Sequence, residues 1–141
     1  MKDRARVLVV DDNPLAYQSM VFALRFAGYP VTAVATPHEA LESLQRFKPR
    51  VVLLEWALRD ASHRSVPLAT QLHEAAVASN QPLSIVIVSH LERSLAQDNP
   101  EHVALYLVKP VSFDCIEAAI EHVQLGPMCS AVLPPLRDSR A

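Results

Sequence analysis

Acidic, hydroxyl and amine side chains stand directly after four short apolar runs of this 141-residue chain. The runs and the polar residues that follow them are 7–10 with Asp11 and Asp12, 51–54 with Glu55, 85–88 with Ser89, and 105–108 with Lys109 and Pro110. Paired carboxylates can hold a divalent cation, a further carboxylate can accept a phosphoryl group, and an amine and a hydroxyl can hold its oxygens. The four run ends together therefore indicate a site for phosphoryl transfer to a carboxylate.

The elements that must position these residues are predicted to be parallel strands. Continuous apolar runs of four residues that alternate with helical patterns are typical of strands buried on both faces. The carboxyl ends of such strands meet in one crevice, where α/β folds place their chemistry. We therefore expect the polar run ends to lie close together.

Helix-start and helix-stop signals separate the runs into five strand–helix units, with a second strand at 31–35. Asn13 and Pro14 begin the first helix, which ends at Gly28. A capping box with proline at its first position, residues 36–39, begins the second helix, and Pro49 stops it. The remaining helices are predicted at 66–79, at 92–97 and from a Ser112 cap to 126–127.

In order and spacing, the run ends Asp11, Asp12, Ser89, Lys109 and Pro110 resemble those of the receiver domains of bacterial two-component response regulators, over roughly residues 5–125. The resemblance implies a flavodoxin-like three-layer α/β sandwich, with five helices and a five-stranded parallel sheet in the order 2-1-3-4-5. It also divides the chain into a receiver domain, 1–125, and a C-terminal tail or linker, 126–141.

The resemblance also implies roles for single residues. Asp11 and Asp12, with Glu55, would hold a Mg²⁺ ion, and Lys109, followed by a cis peptide bond to Pro110, would point into the crevice. Ser89 would supply the hydroxyl that grips the phosphoryl group. Tyr106 would be the aromatic switch residue, although a strand aromatic that packs on the fourth helix explains it equally well.

Glu55 departs from the family pattern, because an aspartate is phosphorylated at that position in receivers. The glutamate carboxylate lies one methylene further out, about 1.5 Å. Since a misplacement of about 1 Å can cost on the order of a hundredfold in rate, we expect little or no phosphorylation at Glu55. Its charge could instead pair with Lys109, so that Glu55 either mimics phosphate or preserves a carboxylate in an inert pocket.

Two further departures accompany the glutamate. The proline and glycine that shape the loop after the receiver acceptor are missing, since Pro67 comes late. His90 follows Ser89, where receivers carry a small residue, and it either obstructs the pocket or faces solvent. Mg²⁺ is the one cofactor that the resemblance implies, and its binding is expected to be weak or absent.

Composition limits the function classes. Thirteen basic and fifteen acidic residues leave a net charge of −2, which does not favour direct nucleic-acid binding. No apolar run approaches the roughly 20 residues of a membrane span, and the N-terminus does not look like a signal peptide. Cys115 and Cys129 form no metal-ligand motif, which favours reduced thiols in the cytoplasm.

The sequence therefore predicts a non-enzymatic signalling module, an atypical receiver that binds proteins and that could be fixed in one state. The resemblance implies a histidine kinase or an output domain as the partner, or a homodimer through the face of the fourth helix, fifth strand and last helix. Three alternatives stay open: a receiver still phosphorylated at Glu55, an engineered Asp-to-Glu mimic, and a flavodoxin-like enzyme. The enzyme is disfavoured because neither of the two glycines, Gly28 and Gly126, follows a strand end to cradle a phosphate.

Overall fold

A computed structural model describes residues 4–55, 65–89 and 102–124. The described elements, in chain order, are β1 (Val7–Val10), α1 (Pro14–Phe26), β2 (Val31–Val34), α2 (Pro37–Arg46), β3 (Val51–Leu54), α3 (Ser65–Ala78), β4 (Ser84–Ser89), β5 (Val103–Val108) and α4 (Phe113–Gln124). All five strands are parallel, and they form one sheet in the order β2-β1-β3-β4-β5. The predicted strand order is confirmed.

Two layers of helices cover the sheet, because alternate strand residues point to opposite faces. One apolar cluster joins α1 and α4 to the sheet, with Val9, Leu53 and Leu107 among its strand residues. The other joins α2 and α3 to the opposite face and includes Val10 and Leu54. The three-layer sandwich is therefore as predicted, with four of the five helices inside the described residues and the one predicted at 92–97 outside them.

Side-chain caps begin three of the helices. The amide of Leu15 donates to the Asn13 side chain at 3.1 Å, and the amide of Cys115 donates to the Ser112 hydroxyl at 3.2 Å. At α2 the Glu39 amide donates to the Thr36 hydroxyl at 3.2 Å. These contacts confirm the predicted helix starts and satisfy amides that have no partner inside the helix.

The Glu39 carboxylate departs slightly from the capping box. It accepts from the amide of Ala35 at 3.1 Å, one residue before the predicted donor Thr36. The contact still satisfies an amide at the helix start, so the local signal identified the right element. Gly28, with a φ of 99°, follows the end of α1 as expected for a glycine after a helix.

Gln81, between α3 and β4, is an unsatisfied polar group. Its side-chain Nε2 and Oε1 atoms are buried and make no hydrogen bond with the protein groups of the described residues. A buried polar group without a partner lowers stability by about 1–3 kcal/mol. The Gln81→Met variant is therefore expected to unfold at a higher urea concentration than the wild type. Its free energy of unfolding should be larger by about 1 kcal/mol.

The matched control for that variant is Gln45→Met, at an exposed position of α2. It is expected to change the free energy of unfolding by less than about 0.5 kcal/mol. An equal gain in both variants would attribute the effect to methionine itself and contradict the role given to Gln81.

Within the described residues, no helix is long and apolar enough to cross a membrane.

Candidate functional site

The site lies at the carboxyl ends of β1, β3 and β5, where three charged side chains continue one face of the sheet. Asp11, Glu55 and Lys109 each stand two residues after a strand residue of the α1–α4 cluster, namely Val9, Leu53 and Leu107. Because strand side chains alternate with a period of two, all three side chains are directed to that same face. This is the convergence that the strand ends predict.

Backbone pairing brings the two acids side by side. Val10 of β1 pairs with Leu54 of β3, and the Glu55 amide continues the ladder by donating to the Val10 carbonyl at 2.9 Å. Adjacent strands lie about 4.8 Å apart, so Asp11 and Glu55 are next-door neighbours. Both are buried, with exposed side-chain fractions of 5% for Asp11 and 8% for Glu55.

Lys109 reaches this acidic pair from the far side of β4. Its Nζ donates to Glu55 Oε1 at 2.7 Å and to Asp11 Oδ2 at 3.0 Å, and its side chain is 12% exposed. One ammonium group thus forms ion pairs with two buried carboxylates, which would otherwise repel each other. Removing one partner of such a buried group is strongly destabilising, whereas the net contribution of the intact group is small.

The other oxygen of Asp11 is also held. Asp11 Oδ1 accepts from the Asn13 amide at 3.0 Å, in the turn that leads into α1. Sequence reasoning identified Asn13 as the α1 cap but missed this second contact. The spacing of an acid two residues before an amide in a turn was the available signal.

The hydrogen bonds and charges of the acids govern the protonation of Lys109. Burial of the amine alone would lower its pKa, but the hydrogen bonds to Glu55 and Asp11, together with their negative charges, outweigh burial and raise the pKa above its ordinary value of 10.5. The ammonium form is therefore favoured by folding.

Alkaline pH is expected to lower the free energy of unfolding, because Lys109 loses its proton. The stabilisation is complete below the unfolded-state pKa of 10.5 and is lost as pH rises through the higher folded-state pKa. Burial likewise raises the pKa of Tyr29 above its ordinary value of 10.0. Ionisation of this tyrosine at high pH therefore also lowers the free energy of unfolding. Urea denaturation above pH 10.5 should show a lower free energy of unfolding than at neutral pH.

Two variants separate the contributions to the alkaline loss. Tyr29→Phe should retain the loss of stability at alkaline pH that Lys109 causes. Lys109→Met should retain only the loss that Tyr29 causes. An unchanged alkaline slope in Lys109→Met would contradict the assignment to the amine.

The remaining predicted site residues lie at the same edge of the sheet or just below it. Asp12 follows Asp11 and is half-buried, and the Lys109–Pro110 peptide bond is cis, as the resemblance implied. Ser89 is the last residue of β4, paired in register with Val108. Tyr106 is half-buried and packs against the α2–α3 cluster. The helix that it was predicted to contact, and His90, fall outside the described residues.

The arrangement does not by itself form a metal cage. Among residues 4–55, 65–89 and 102–124, no three His, Cys, Asp or Glu side chains are grouped to hold a metal ion. Lys109 places its own positive charge between Asp11 and Glu55, two of the three predicted ligands.

Residues 7–121, more than half of the chain, match the family model described as "Response regulator receiver domain". Among solved structures, the chain is 24% identical to a CheY-like response regulator receiver domain protein from Methanospirillum hungatei JF-1, with a TM-score of 0.72 over 86% of this chain and 94% of that one. It is 28% identical to the signal receiver domain of a modulated diguanylate cyclase from Desulfovibrio desulfuricans G20, with a TM-score of 0.69 over 84% of this chain and 92% of that one.

One curated relative is also similar over a short stretch. The Mycobacterium tuberculosis (strain ATCC 25618 / H37Rv) protein named "Probable transcriptional regulatory protein TcrX" is 38% identical over 56 residues, which cover 40% of this chain and 24% of that protein. The match thus spans about a quarter of the relative's length.

Proposed function

The chain belongs to the response regulator receiver domain family, and we propose that it is an atypical receiver that binds partner proteins without being switched by phosphorylation at Glu55. The observation that carries this proposal is the contact of 2.7 Å between Lys109 Nζ and Glu55 Oε1. It ties the carboxylate at the acceptor position to the amine that would otherwise hold a phosphoryl oxygen.

The length of the glutamate opposes phosphoryl transfer. In-line attack requires the carboxylate oxygen and the phosphorus to be aligned, and an error of about 1 Å costs on the order of a hundredfold in rate. Glu55 projects about 1.5 Å further than an aspartate, and its buried ion pair with Lys109 holds it there. The pocket therefore stays in a single charge state, with Glu55 in place of a transferred group.

Magnesium is proposed to bind weakly. An ion held by Asp11, Asp12 and Glu55 would neutralise the charge of an incoming phosphoryl group. The ammonium of Lys109 already contacts Asp11 and Glu55 at 3.0 and 2.7 Å, so a divalent cation entering between them would be repelled at short range.

The proposed role is signal transduction through protein contacts in the cytoplasm. A histidine kinase or an output domain is the expected partner, and the likeness to a protein named as a transcriptional regulator supports an output of that kind. The net charge of −2 supports contact with protein and not with nucleic acid by this chain itself. No turnover is proposed, because the site holds its own ion pair in place of a substrate.

A phosphodonor assay tests the proposal. The full chain is first titrated with Mg²⁺ while the fluorescence of Trp56, which follows Glu55 in the sequence, is recorded. It is then incubated with acetyl phosphate and Mg²⁺, and its intact mass is measured. We expect a weak metal response and no gain of a phosphoryl group, whereas an acyl phosphate mapped to Glu55 would overturn the proposal.

A further inference from the structure

The outer surface of α1 carries an exposed apolar stripe. Leu15, Phe22 and Phe26 are 85%, 71% and 85% exposed, and the two phenylalanine rings stack with their centroids 6.4 Å apart. Spacings of seven and four residues place the three side chains on one side of a helix. We call these three residues the α1 stripe.

The α1 stripe has no charged residue within it. Arg25 is the one charged residue of α1, and its guanidinium donates to the Val31 carbonyl at 2.9 Å, away from the stripe. Single exposed apolar residues are ordinary, but a contiguous uncharged set with two stacked aromatics is typical of an interaction surface.

An apolar groove adjoins this stripe. It lies between α1 and α4, has a volume of about 590 Å³, and its walls include Met20, Ala23, Val111, Phe113 and Ile116, with Lys109 at one end. Ser19 also lines it and is four residues after Leu15 and three before Phe22, so groove and stripe form one continuous surface. Unlike the charged site, this surface is mainly apolar.

The chain itself supplies a segment of matching length and chemistry, residues 125–141, which follow α4. From Phe113 at the groove to Gln124, α4 is about 18 Å long. An extended segment that turns back along it at about 3.1 Å per residue needs roughly six residues to return. Residues 131–136, Ala-Val-Leu-Pro-Pro-Leu, would then be level with the groove.

We propose that residues 131–136 dock as an extended strap on the groove between α1 and α4 and on the adjoining α1 stripe. Two prolines predispose the strap to a polyproline II conformation, which has three residues per turn, so Leu133 and Leu136 face the same side. These two leucines enter the groove. The strap carries no charge, and the charged residues Arg137, Asp138 and Arg140 come only after it.

Because the strap is covalently linked to the domain that carries the groove, a modest contact area is sufficient for docking. A segment tethered a few residues from its site has an effective concentration in the millimolar range. The proposal holds whether or not Glu55 accepts phosphate.

Paramagnetic relaxation in the full chain tests the strap. A nitroxide is attached at Ser139→Cys in a Cys115→Ser/Cys129→Ser background, and the amide signals of the ¹⁵N-labelled protein are compared before and after reduction of the label. We expect signal loss along Leu15–Phe26 and at 111–116. Leu133→Ser/Leu136→Ser should abolish it, and the matched control Val132→Ser, on another side of the strap, should retain it.

The same experiment contains the outcomes that overturn the proposal. No signal loss in α1, or a loss that persists in Leu133→Ser/Leu136→Ser, excludes docking through these leucines. Signal loss that appears only between labelled and ¹⁵N-labelled molecules in a mixed sample shows that a second copy covers the surface. A further variant, Phe22→Ser, changes an exposed side chain only and should weaken the signal loss while the amide spectrum stays folded.

Discussion

Replacing Glu55 with aspartate is expected to create a chain that acetyl phosphate can phosphorylate. The shorter side chain withdraws the carboxylate by about 1.5 Å and lengthens the present contact of 2.7 Å with Lys109. The acid can then align with the phosphorus while the amine becomes available for a phosphoryl oxygen. We expect labelling at least about a hundredfold faster than in the wild type, measured by intact mass against time.

The control for the aspartate variant is Glu55→Gln, which keeps the length of glutamate but removes the nucleophilic carboxylate. It should remain unlabelled, so that any label in Glu55→Asp belongs to position 55. Equal labelling of wild type and Glu55→Asp would show that side-chain length does not govern the site. Continued failure of Glu55→Asp would move the cause to His90 or to the loop that lacks the expected proline and glycine.

Replacing Lys109 with methionine is expected to cause a large loss of stability. The variant keeps most of the side-chain volume but removes the ammonium that contacts both Asp11 and Glu55, whose side chains are each less than a tenth exposed. Removing one partner of a buried ion pair costs about 3–5 kcal/mol, because the remaining charge stays desolvated and loses the favourable interaction with its partner. Urea denaturation at neutral pH should show a loss of that size.

Two further variants isolate the charge effect. Arg46→Met, at an exposed position in the last turn of α2, should cost less than about 1 kcal/mol. Lys109→Met/Glu55→Gln should recover part of the loss, since only one buried carboxylate then remains. If the double variant is no more stable than Lys109→Met, the stability loss comes from altered packing and not from unpaired charge.

The strand and helix assignments depended on short-range patterns, which explains why they could be predicted. Four consecutive apolar residues, as in Val51–Leu54, need only burial on both faces to become a central strand. Caps such as Ser112 act on an amide three residues away, so their effect is contained in the local sequence. The strand order, by contrast, came from family resemblance, since no local pattern specifies which strands are neighbours.

The sequence predicted which residues form the candidate site, but only one of the contacts between them. The residues after each strand marked Asp11, Glu55 and Lys109, and the possible pairing of Glu55 with Lys109 was expected. That Lys109 would contact Asp11 as well could not be derived. The α1 stripe was also missed, although Phe22 and Phe26 fall off the inner face of α1 and were visible as apolar residues without a predicted neighbour.

The sequence alone determined which segments are strands and helices and which polar residues stand at the strand ends, because propensity, capping and burial pattern act over a few neighbouring residues. Only the tertiary structure decided how the charges pair. Lys109 is separated from Glu55 by 54 residues and from Asp11 by 98, and it reaches them across β4. The side-chain reach and register that make this possible exist only once the parallel strands are assembled.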